Sequence, residues 1–261
     1  MDNSSLRISV IQSHITWEDR AENLGYFEEL IRRTSGRSHL AVLPELFTTG
    51  LSMRVHDLAE TMDGETVTSL KAWAKKFDLA ITGSFIATEG GNYYNRVFFI
   101  MPDGQEAYYD KHHLFRMAGE DNYFAAGKER LIVNYRGWKI CPMVCYDLRF
   151  PVWSRNVCNE YDLLIYVANW VDARKKAWKS LLQARAIENM AYVCGVNRVG
   201  ADGRGYVYHG GSYVFSPKGK KMIDAGDNEE VTRTCKLKKA DLEILRTKFP
   251  VWKDADSFVL K

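Results

Sequence analysis

The segment at residues 139–151 reads KICPMVCYDLRFP, and it decides how the chain folds around its most informative residue. Residues 139–144 form a mostly apolar run, which predicts a buried strand. Cys145 ends that run, and Phe150-Pro151 predict the start of a helix because proline is favourable in a first helical turn. A thiol at such a bend lies beside backbone N–H groups that can donate to a developing oxyanion. Cys145 is therefore a candidate nucleophile, although buried cysteines more often only fill space.

Strands and helices of the same kind extend over the whole chain. Strands are predicted at 6–12, 40–43, 79–87, 96–101, 106–109, 163–168, 191–196 and 212–215, and helices at 17–33, 65–77, 173–190 and 241–248. Parallel crossovers combined with hairpins predict an α/β fold of two packed sheets flanked by helices, a four-layer sandwich. Because no linker or repeat interrupts the pattern, residues 1–261 are predicted to form a single domain.

Charge and hydropathy argue against two classes of partner. The 36 basic and 33 acidic residues give a net charge of +3 and leave no long basic face for nucleic acid. No stretch reaches the ~18 apolar residues of a membrane-spanning helix. We therefore expect a small molecule as the ligand, with neither nucleic acid nor membrane as a partner.

The cysteines indicate the compartment. Five of them are scattered along the chain as an odd set without close pairs, which argues against a disulfide framework or a zinc site. The first residues lead directly into a strand pattern without a basic, apolar leader. Free thiols without an export signal predict a cytoplasmic protein.

Two more polar residues end apolar or aromatic segments. Glu45 follows the run at 40–43 and Pro44, and a desolvated carboxylate there is suited to act as a general base. Lys111 follows Tyr108-Tyr109-Asp110, and a buried lysine requires a carboxylate or an oxyanion as its partner. A thiol, a base and a cation are together what amide cleavage requires.

The two histidines after Lys111 leave an alternative open. His112 or His113 could pair with Cys145 as in thiol proteases, with Asp147 or Asn169 orienting the imidazole. A metal site is not favoured at this pair, because neighbouring strand residues point to opposite faces and no further ligand-spaced residue lies nearby.

Three motifs in this order resemble the signatures of the nitrilase superfamily of carbon-nitrogen hydrolases. They are PELF at 44–47, DKHHL at 110–114 and VCYDLRFP at 144–151, and they are supported by YVANW at 166–170, ARAIEN at 184–189 and FPVW at 249–252. Within that superfamily the chain looks most like bacterial omega-amidases of the 2-oxoglutaramate amidase type. The resemblance implies an αββα sandwich, a homodimer, and no metal or organic cofactor.

The resemblance also implies roles for individual residues. Glu45 becomes the base in place of the histidines, with Lys111 and the backbone N–H of Tyr146 holding the oxyanion formed when Cys145 attacks. Glu120 matches a further glutamate that lies near the lysine and helps to position substrate.

The pocket wall is a separate part of this expectation. Asn169 and Trp170 match a segment of the family's pocket wall, while ordinary core packing stays open for them. Arg149 either contacts a substrate carboxylate or braces the nucleophile turn, with Arg116 and Arg174 as further candidates for the carboxylate.

The expected reaction is hydrolysis of the terminal amide of a small omega-amido acid, such as 2-oxoglutaramate or 2-oxosuccinamate, through a Cys145 thioester. A nitrilase, an N-carbamoyl hydrolase and a broad aliphatic amidase are alternatives within the superfamily. A catalytically silent binding module that retains the fold is an alternative of another class.

Overall fold

A computed structural model describes residues 4–259. Residues 1–3 and 260–261 of the predicted domain lie outside the described part, and so do the first residues of the segment for which no leader was predicted. The helices are α1 (Arg20–Arg32), α2 (Val55–Leu58), α3 (Glu65–Phe77), α4 (Lys175–Glu188) and α5 (Lys239–Lys248). The strands are β1 (Ser5–Gln12), β2 (Leu40–Val42), β3 (Ala80–Glu89), β4 (Asn92–Ile100), β5 (Glu106–Asp110), β6 (Val133–Tyr135), β7 (Trp138–Val144), β8 (Leu163–Ala168), β9 (Tyr192–Asn197), β10 (Val199–Ala201), β11 (Val207–His209), β12 (Tyr213–Phe215), β13 (Lys221–Asp224) and β14 (Val231–Lys238).

Twelve of these strands form two six-stranded sheets. The first sheet has the order β14-β1-β2-β3-β4-β5, the second has the order β13-β12-β9-β8-β7-β6, and β10 pairs with β11 as a separate hairpin. The pairs β1–β2, β2–β3, β7–β8 and β8–β9 are parallel, which reflects the predicted crossovers. The α/β prediction of two packed sheets is confirmed.

Alternation along the strands builds two separate cores. Ile8 and Val10 of β1 lie between the two sheets, where they belong to the same buried cluster as Ile140 and Ile165 of the second sheet. Ile11 points the other way and packs with the buried faces of α1 and α3. Helix α4 covers β9 and β12 of the second sheet from outside. The result is four layers in the order helix, sheet, sheet, helix.

Helix boundaries follow local capping. The side chain of Asp19 accepts a hydrogen bond from the backbone N–H of Glu22 at 3.0 Å, so α1 begins at Arg20 and not at Trp17. Asp78, which follows α3, has φ of 51°, a left-handed conformation that ends a helix.

The prediction that a helix begins at Phe150-Pro151 is wrong, because residues 151–154 form turns. The side chain of Asn156 meets the hydrogen-bonding needs of this region: its Nδ2 donates to the carbonyl of Tyr161 at 3.0 Å, and its Oδ1 accepts from Tyr161 N at 3.1 Å. Asparagine side chains that bond to nearby backbone in this way compete with helix formation.

None of the helices within residues 4–259 combines the length and the apolar character needed to cross a bilayer.

Candidate active site

Strands β2 and β5 finish at the same end of the first sheet. Both strands run in the same direction, because β5 is antiparallel to β4, which is antiparallel to β3. Glu45 follows β2 and Lys111 follows β5, so this topology brings their side chains to a common edge. Leu46, directly after Glu45, has φ of 49°, and its N–H donates to Ser84 Oγ at 2.9 Å. The turn after β2 is thereby fixed, and Glu45 is held in a fully buried position.

Lys111 lies between two buried carboxylates. Its Nζ donates to Glu45 Oε1 at 3.0 Å and to Glu120 Oε1 at 2.8 Å. Burial alone would lower the pKa of Lys111, but the charges of Glu120 and Glu45 outweigh it and raise that pKa above its ordinary value. The side chain is therefore an ammonium group at neutral pH.

Glu120, expected from the resemblance alone, completes this cluster. Its Oε2 also accepts the N–H of Phe115 at 2.5 Å, which holds the loop after Lys111 over the site. Burial raises the pKa of the Glu120 carboxyl, with Lys111 opposing the rise and Glu45 adding to it. Two carboxylates and one ammonium group give this buried region an excess of acidic groups.

Cys145 stands at a strained bend immediately after β7. Its φ is 39°, a backbone conformation that residues other than glycine rarely adopt. Such a conformation costs about 1–3 kcal/mol. Val144 before it is still extended, while residues Cys145–Arg149 form a single 3₁₀ turn. The predicted bend is present, and it places the thiol at the end of the second sheet that faces the first.

Asn169, after β8, connects the carboxylate and the thiol. Its backbone N–H donates to Glu45 Oε2 at 2.6 Å and its Nδ2 donates to the carbonyl of Glu45 at 2.8 Å. The same backbone group also lowers the pKa of the Cys145 thiol. Asn169 therefore acts on both Glu45 and Cys145.

The environment of Cys145 favours the neutral thiol. Burial raises the pKa of the thiol well above its ordinary value, and the charges of Glu45 and Glu120 add to this effect. Lys111 and the Asn169 N–H oppose it without overcoming it. Of the two carboxylates, Glu45 has the larger effect on the pKa of this thiol.

Neither histidine of the alternative dyad contacts the thiol in this arrangement. His112 Nδ1 lies 2.6 Å from the carbonyl of Gly127, and its ring stacks on Trp153. His113 Nδ1 lies 2.8 Å from Asp147 Oδ1, and its ring stacks on Phe150. Both imidazoles are thus engaged beside the nucleophile turn and not at it.

Asp147 braces the turn, a role that the sequence patterns did not indicate. Its fully buried carboxylate accepts the N–H of Val144 at 3.0 Å, the hydroxyl of Tyr109 at 2.8 Å and the N–H of His113 at 2.9 Å. Arg185 adds a bond from its guanidinium to the carbonyl of Leu148 at 2.7 Å. The brace considered for Arg149 is provided by these two residues.

A small cavity of about 20 Å³ opens onto the thiol. It is lined by Leu51, Lys111, Phe115, Cys145, Tyr146, Arg149, Asn169, Trp170 and Arg174. An adjoining compartment of about 80 Å³ shares Leu51, Phe115, Asn169 and Arg174 with it. A wider surface depression of about 610 Å³ near α5 contains none of the three residues Glu45, Lys111 and Cys145.

Two arginines lie over aromatic walls of this cavity. The Arg149 guanidinium lies 4.9 Å from the Trp170 ring centre, and that of Arg174 lies 5.2 Å from the ring centre of Phe115. Within residues 4–259 neither guanidinium forms an ion pair with a carboxylate. Trp170 is both packed in the core and part of the wall, so the two interpretations of it are compatible.

Arg116, the other candidate, lies outside the cavity. Its side chain is 85% exposed and its Nε is 3.6 Å from Asp121. The remaining cysteines are also separate from the site: Cys141 and Cys194 are buried in strands, Cys235 is half-buried and Cys158 is exposed. Across the described part of the chain, no three His, Cys, Asp or Glu side chains form a group suited to a metal ion.

A four-layer αββα fold with a buried glutamate and lysine and a half-buried cysteine at the facing ends of the two sheets defines a class of hydrolytic enzymes. Residues 7–246 match the carbon-nitrogen hydrolase family, and the chain belongs to this family, which is part of the nitrilase superfamily.

Individual relatives are similar over nearly their whole length. Omega-amidase YafV of Escherichia coli K12 is 46% identical over 98% of this chain and 98% of that protein. The 2-oxoglutaramate amidase of Bacillus subtilis is 33% identical over 95% of this chain and 96% of that protein. The crystal structure of XC1258 from Xanthomonas campestris, a CN-hydrolase superfamily protein with an arsenic adduct in its active site, superposes with a TM-score of 0.96 at 44% identity, covering 98% of this chain and 99% of that one.

Proposed function

We propose that the protein is an omega-amidase, which hydrolyses the terminal amide of a small omega-amido acid to a carboxylate and ammonia. The proposal depends on one observation: buried Glu45 and Lys111 lie beside half-buried Cys145 at a cavity with two arginines that lack a carboxylate partner among the described residues. The names of the Escherichia coli and Bacillus subtilis relatives support the same substrate class.

Acylation of Cys145 is the first half of the proposed reaction. Glu45 takes the thiol proton as the sulfur attacks the amide carbon, and a C–S bond forms. Lys111 and the backbone N–H of Tyr146 donate to the oxyanion, since the first N–H groups of a turn have no partner within it. Glu45 then returns the proton to the amide nitrogen, the C–N bond breaks and ammonia leaves.

Hydrolysis of the thioester is the second half. Glu45 takes a proton from a water molecule, whose oxygen attacks the thioester carbon. Collapse of the second tetrahedral intermediate breaks the C–S bond, and the thiolate regains its proton from Glu45. Glu120 keeps Lys111 in place through both steps by its 2.8 Å hydrogen bond.

The arginines account for the preference for an acid bearing a distal amide. Arg149 lines the inner cavity, while Arg174 lines both this cavity and the adjoining compartment. A carboxylate held at this end by a guanidinium fixes the amide within reach of Cys145, which lowers the entropic part of the barrier. Asn169 and Trp170 also line the inner cavity.

A substrate panel tests the proposal. Ammonia release is measured with 2-oxoglutaramate, succinamate, a neutral aliphatic amide, an N-carbamoyl amino acid and a nitrile, with Cys145→Ala as the blank. Fastest turnover of the two omega-amido acids is the expected result. Preference for the nitrile or the carbamoyl substrate would replace the proposed function with one of the alternatives, and no release from any substrate would favour the silent binding module.

The wider expectations belong to the same proposal. The chain acts as one domain in the cytoplasm, a compartment in which five free cysteines remain reduced. We propose that it forms a homodimer, and the exposed apolar side chains of Val152, Ile187 and Phe249 are candidate contacts between the subunits. Light scattering of the wild type and of a Val152→Glu, Ile187→Glu variant tests the dimer. A monomeric wild type would contradict it.

A further inference from the structure

Asn95, in the middle of β4, touches two of the three residues to which chemistry has been assigned. Its Nδ2 donates to Glu45 Oε1 at 2.8 Å, and its backbone carbonyl accepts the N–H of Lys111 at 3.0 Å. The residue is fully buried and does not line the cavity. Asn95 therefore acts on the site through Glu45 and Lys111 and not on a substrate.

The two oxygens of Glu45 have different surroundings. Oε1 accepts two side-chain donors, from Asn95 and from Lys111, which occupy both of its lone pairs. Oε2 accepts the Asn169 N–H at 2.6 Å and makes only a long 3.4 Å bond with Asn169 Nδ2, whose short bond is to the Glu45 carbonyl. The oxygen with two short donors is held on the side of the first sheet, and the other is held by Asn169 on the side of the second sheet, which carries Cys145.

From this asymmetry we propose that Asn95 is a positioning residue, which together with Lys111 saturates Glu45 Oε1 and reserves Oε2 as the oxygen that exchanges the thiol proton. The inference rests on the proposed roles of Glu45 and Cys145. When Cys145 attacks, its S–H bond breaks and an O–H bond forms at Oε2. The same proton later passes to the departing nitrogen, which leaves as ammonia.

The short hydrogen bonds of the Glu45 carboxylate need no reorganisation during proton transfer. After Oε2 is protonated, Oε1 becomes the carbonyl oxygen of a carboxylic acid and still accepts both donors. A proton on Oε1 would instead displace either Asn95 or Lys111. Fixed donors that serve both protonation states are the type of preorganisation that lowers a catalytic barrier.

The other end of the Asn95 side chain supports a role in the site. Its Oδ1 is buried and has no hydrogen-bond partner within residues 4–259. Leaving an acceptor unpaired lowers the stability of the fold, a loss that an apolar side chain of similar size avoids. The amide at this position thus contributes its donor to Glu45 while part of it destabilises the core.

Asn95→Leu, Asn95→Asp and Asn95→Gln test the inference with succinamate as substrate. Leucine removes the donor, so kcat is expected to fall about 10- to 100-fold with little change in KM, as for loss of one hydrogen bond to a charged group. The acid limb of the kcat/KM profile is expected to move to higher pH, because one donor to the charged carboxylate is gone. Gln retains a donor and should recover part of both quantities.

The matched control is Asn156→Leu, which removes a buried asparagine bonded to Tyr161 and Asn189 and to none of the active-site group. It should lower thermal stability without moving the acid limb. If Asn95→Leu is folded and keeps the wild-type kcat and acid limb, the inference is overturned. Should that variant not fold, the nearly isosteric Asn95→Asp gives the same readout, and an unmoved acid limb there overturns it equally.

A failure of the omega-amidase proposal can be distinguished from a failure of the proposal for Asn95. If the wild type prefers another amide, the Asn95 variants are measured on that substrate, and the predicted shift of the acid limb is unchanged. If Cys145→Ala keeps full activity, the proposed chemistry fails whatever the Asn95 variants do.

Discussion

The backbone N–H of Asn169 and the carboxylate of Glu45 are 2.6 Å apart, although Asn169 follows a strand of the second sheet and Glu45 a strand of the first. The Nδ2 of Asn169 reaches back to the Glu45 carbonyl, so the two residues are joined at two points. The candidate active site is therefore built where the two sheets meet. A small change in the packing of the sheets would alter the distance between Glu45 and Cys145.

Cys145→Ala is expected to lower turnover by at least about 10⁴-fold, because it removes only the nucleophilic sulfur. Circular dichroism should show an unchanged fold. Cys158→Ala is the matched control, since this thiol is exposed and outside the cavity. Loss of activity in Cys158→Ala with retention in Cys145→Ala would mean that another thiol carries the reaction.

Glu45→Gln preserves the volume of the side chain but cannot accept a proton. We expect a loss of about 10²- to 10⁴-fold in kcat, the usual contribution of a general base. His113→Ala loses its contacts with Asp147 and Phe150, and its effect should stay below about tenfold, as for one neutral hydrogen bond. Equal losses in the two folded variants, measured by ammonia release, would support a cysteine–histidine dyad.

Removal of charge at the cavity should reduce discrimination between substrates. For Arg149→Gln and Arg174→Gln we expect kcat/KM for succinamate to fall roughly 10- to 100-fold, the worth of a hydrogen bond to a charged group. The neutral methyl ester of succinamate should lose much less. Arg116→Gln is the control, because its side chain lies outside the cavity. Equal efficiency of wild type on charged and neutral substrates would reject the omega-amidase assignment within the family.

The resting thiol should be neutral well into the alkaline range. Burial and the charges of Glu45 and Glu120 raise the pKa of Cys145, so the thiolate forms only above the ordinary value of 9.0. The 240 nm absorbance difference between wild type and Cys145→Ala should be absent at pH 7 and appear above pH 9. A thiolate signal at pH 7 would contradict the neutral resting thiol.

The lowered pKa of His39 leads us to expect that the folded protein is less stable in acid. Burial, followed by the charges of Arg136 and Arg7, lowers the pKa of His39 from 6.5 to about 4, and its Nδ1 lies 3.2 Å from the Arg7 N–H. Between these two values the unfolded chain binds a proton that the folded chain does not, so the free energy of unfolding falls as pH falls from 6.5 to 4. His39→Asn should make this fall shallower.

Urea unfolding of wild type and His39→Asn at pH 7, 5.5 and 4.5 measures the effect. An asparagine oxygen can still accept from Arg7, so the two proteins should differ mainly in the slope. His56→Asn, at an exposed histidine, controls for the substitution itself. Parallel pH dependences of wild type and His39→Asn would refute the assignment.

Glu45, Lys111 and Cys145 could be predicted from the sequence because each follows directly after an apolar or aromatic segment. The periodic spacing of apolar residues in such segments indicates which residues are buried. The α/β architecture followed from the same signal. The strand β14 was not delineated, because its residues Val231–Lys238 are half exposed and mostly polar, so they lack a clear apolar face.

Partners across the sheets were beyond reach of local patterns. Asn95 lies inside a strand, and nothing in the letters around it shows that its amide meets Glu45, 50 positions earlier. The bond from the Tyr109 hydroxyl to Asp147, 38 positions later, is of the same kind, whereas a contact between Asp147 and a histidine was among the sequence expectations. A buried polar residue in a strand signals that a partner exists. Which residue is the partner depends on how the two sheets pack against each other, and this packing cannot be derived from local sequence patterns.

The pairing of β14 with β1 has a consequence for synthesis of the protein. Ser5 lies opposite Lys238, so one edge of β1 stays open until residues 231–238 have left the ribosome. At ordinary rates of translation that interval is roughly 10–50 s. During it the nascent chain presents a row of unpaired backbone groups, which is a template for aggregation. We therefore expect a ribosome-bound chain halted before residue 231 to bind chaperones, and the first sheet reaches its final form only after residue 238 has been translated.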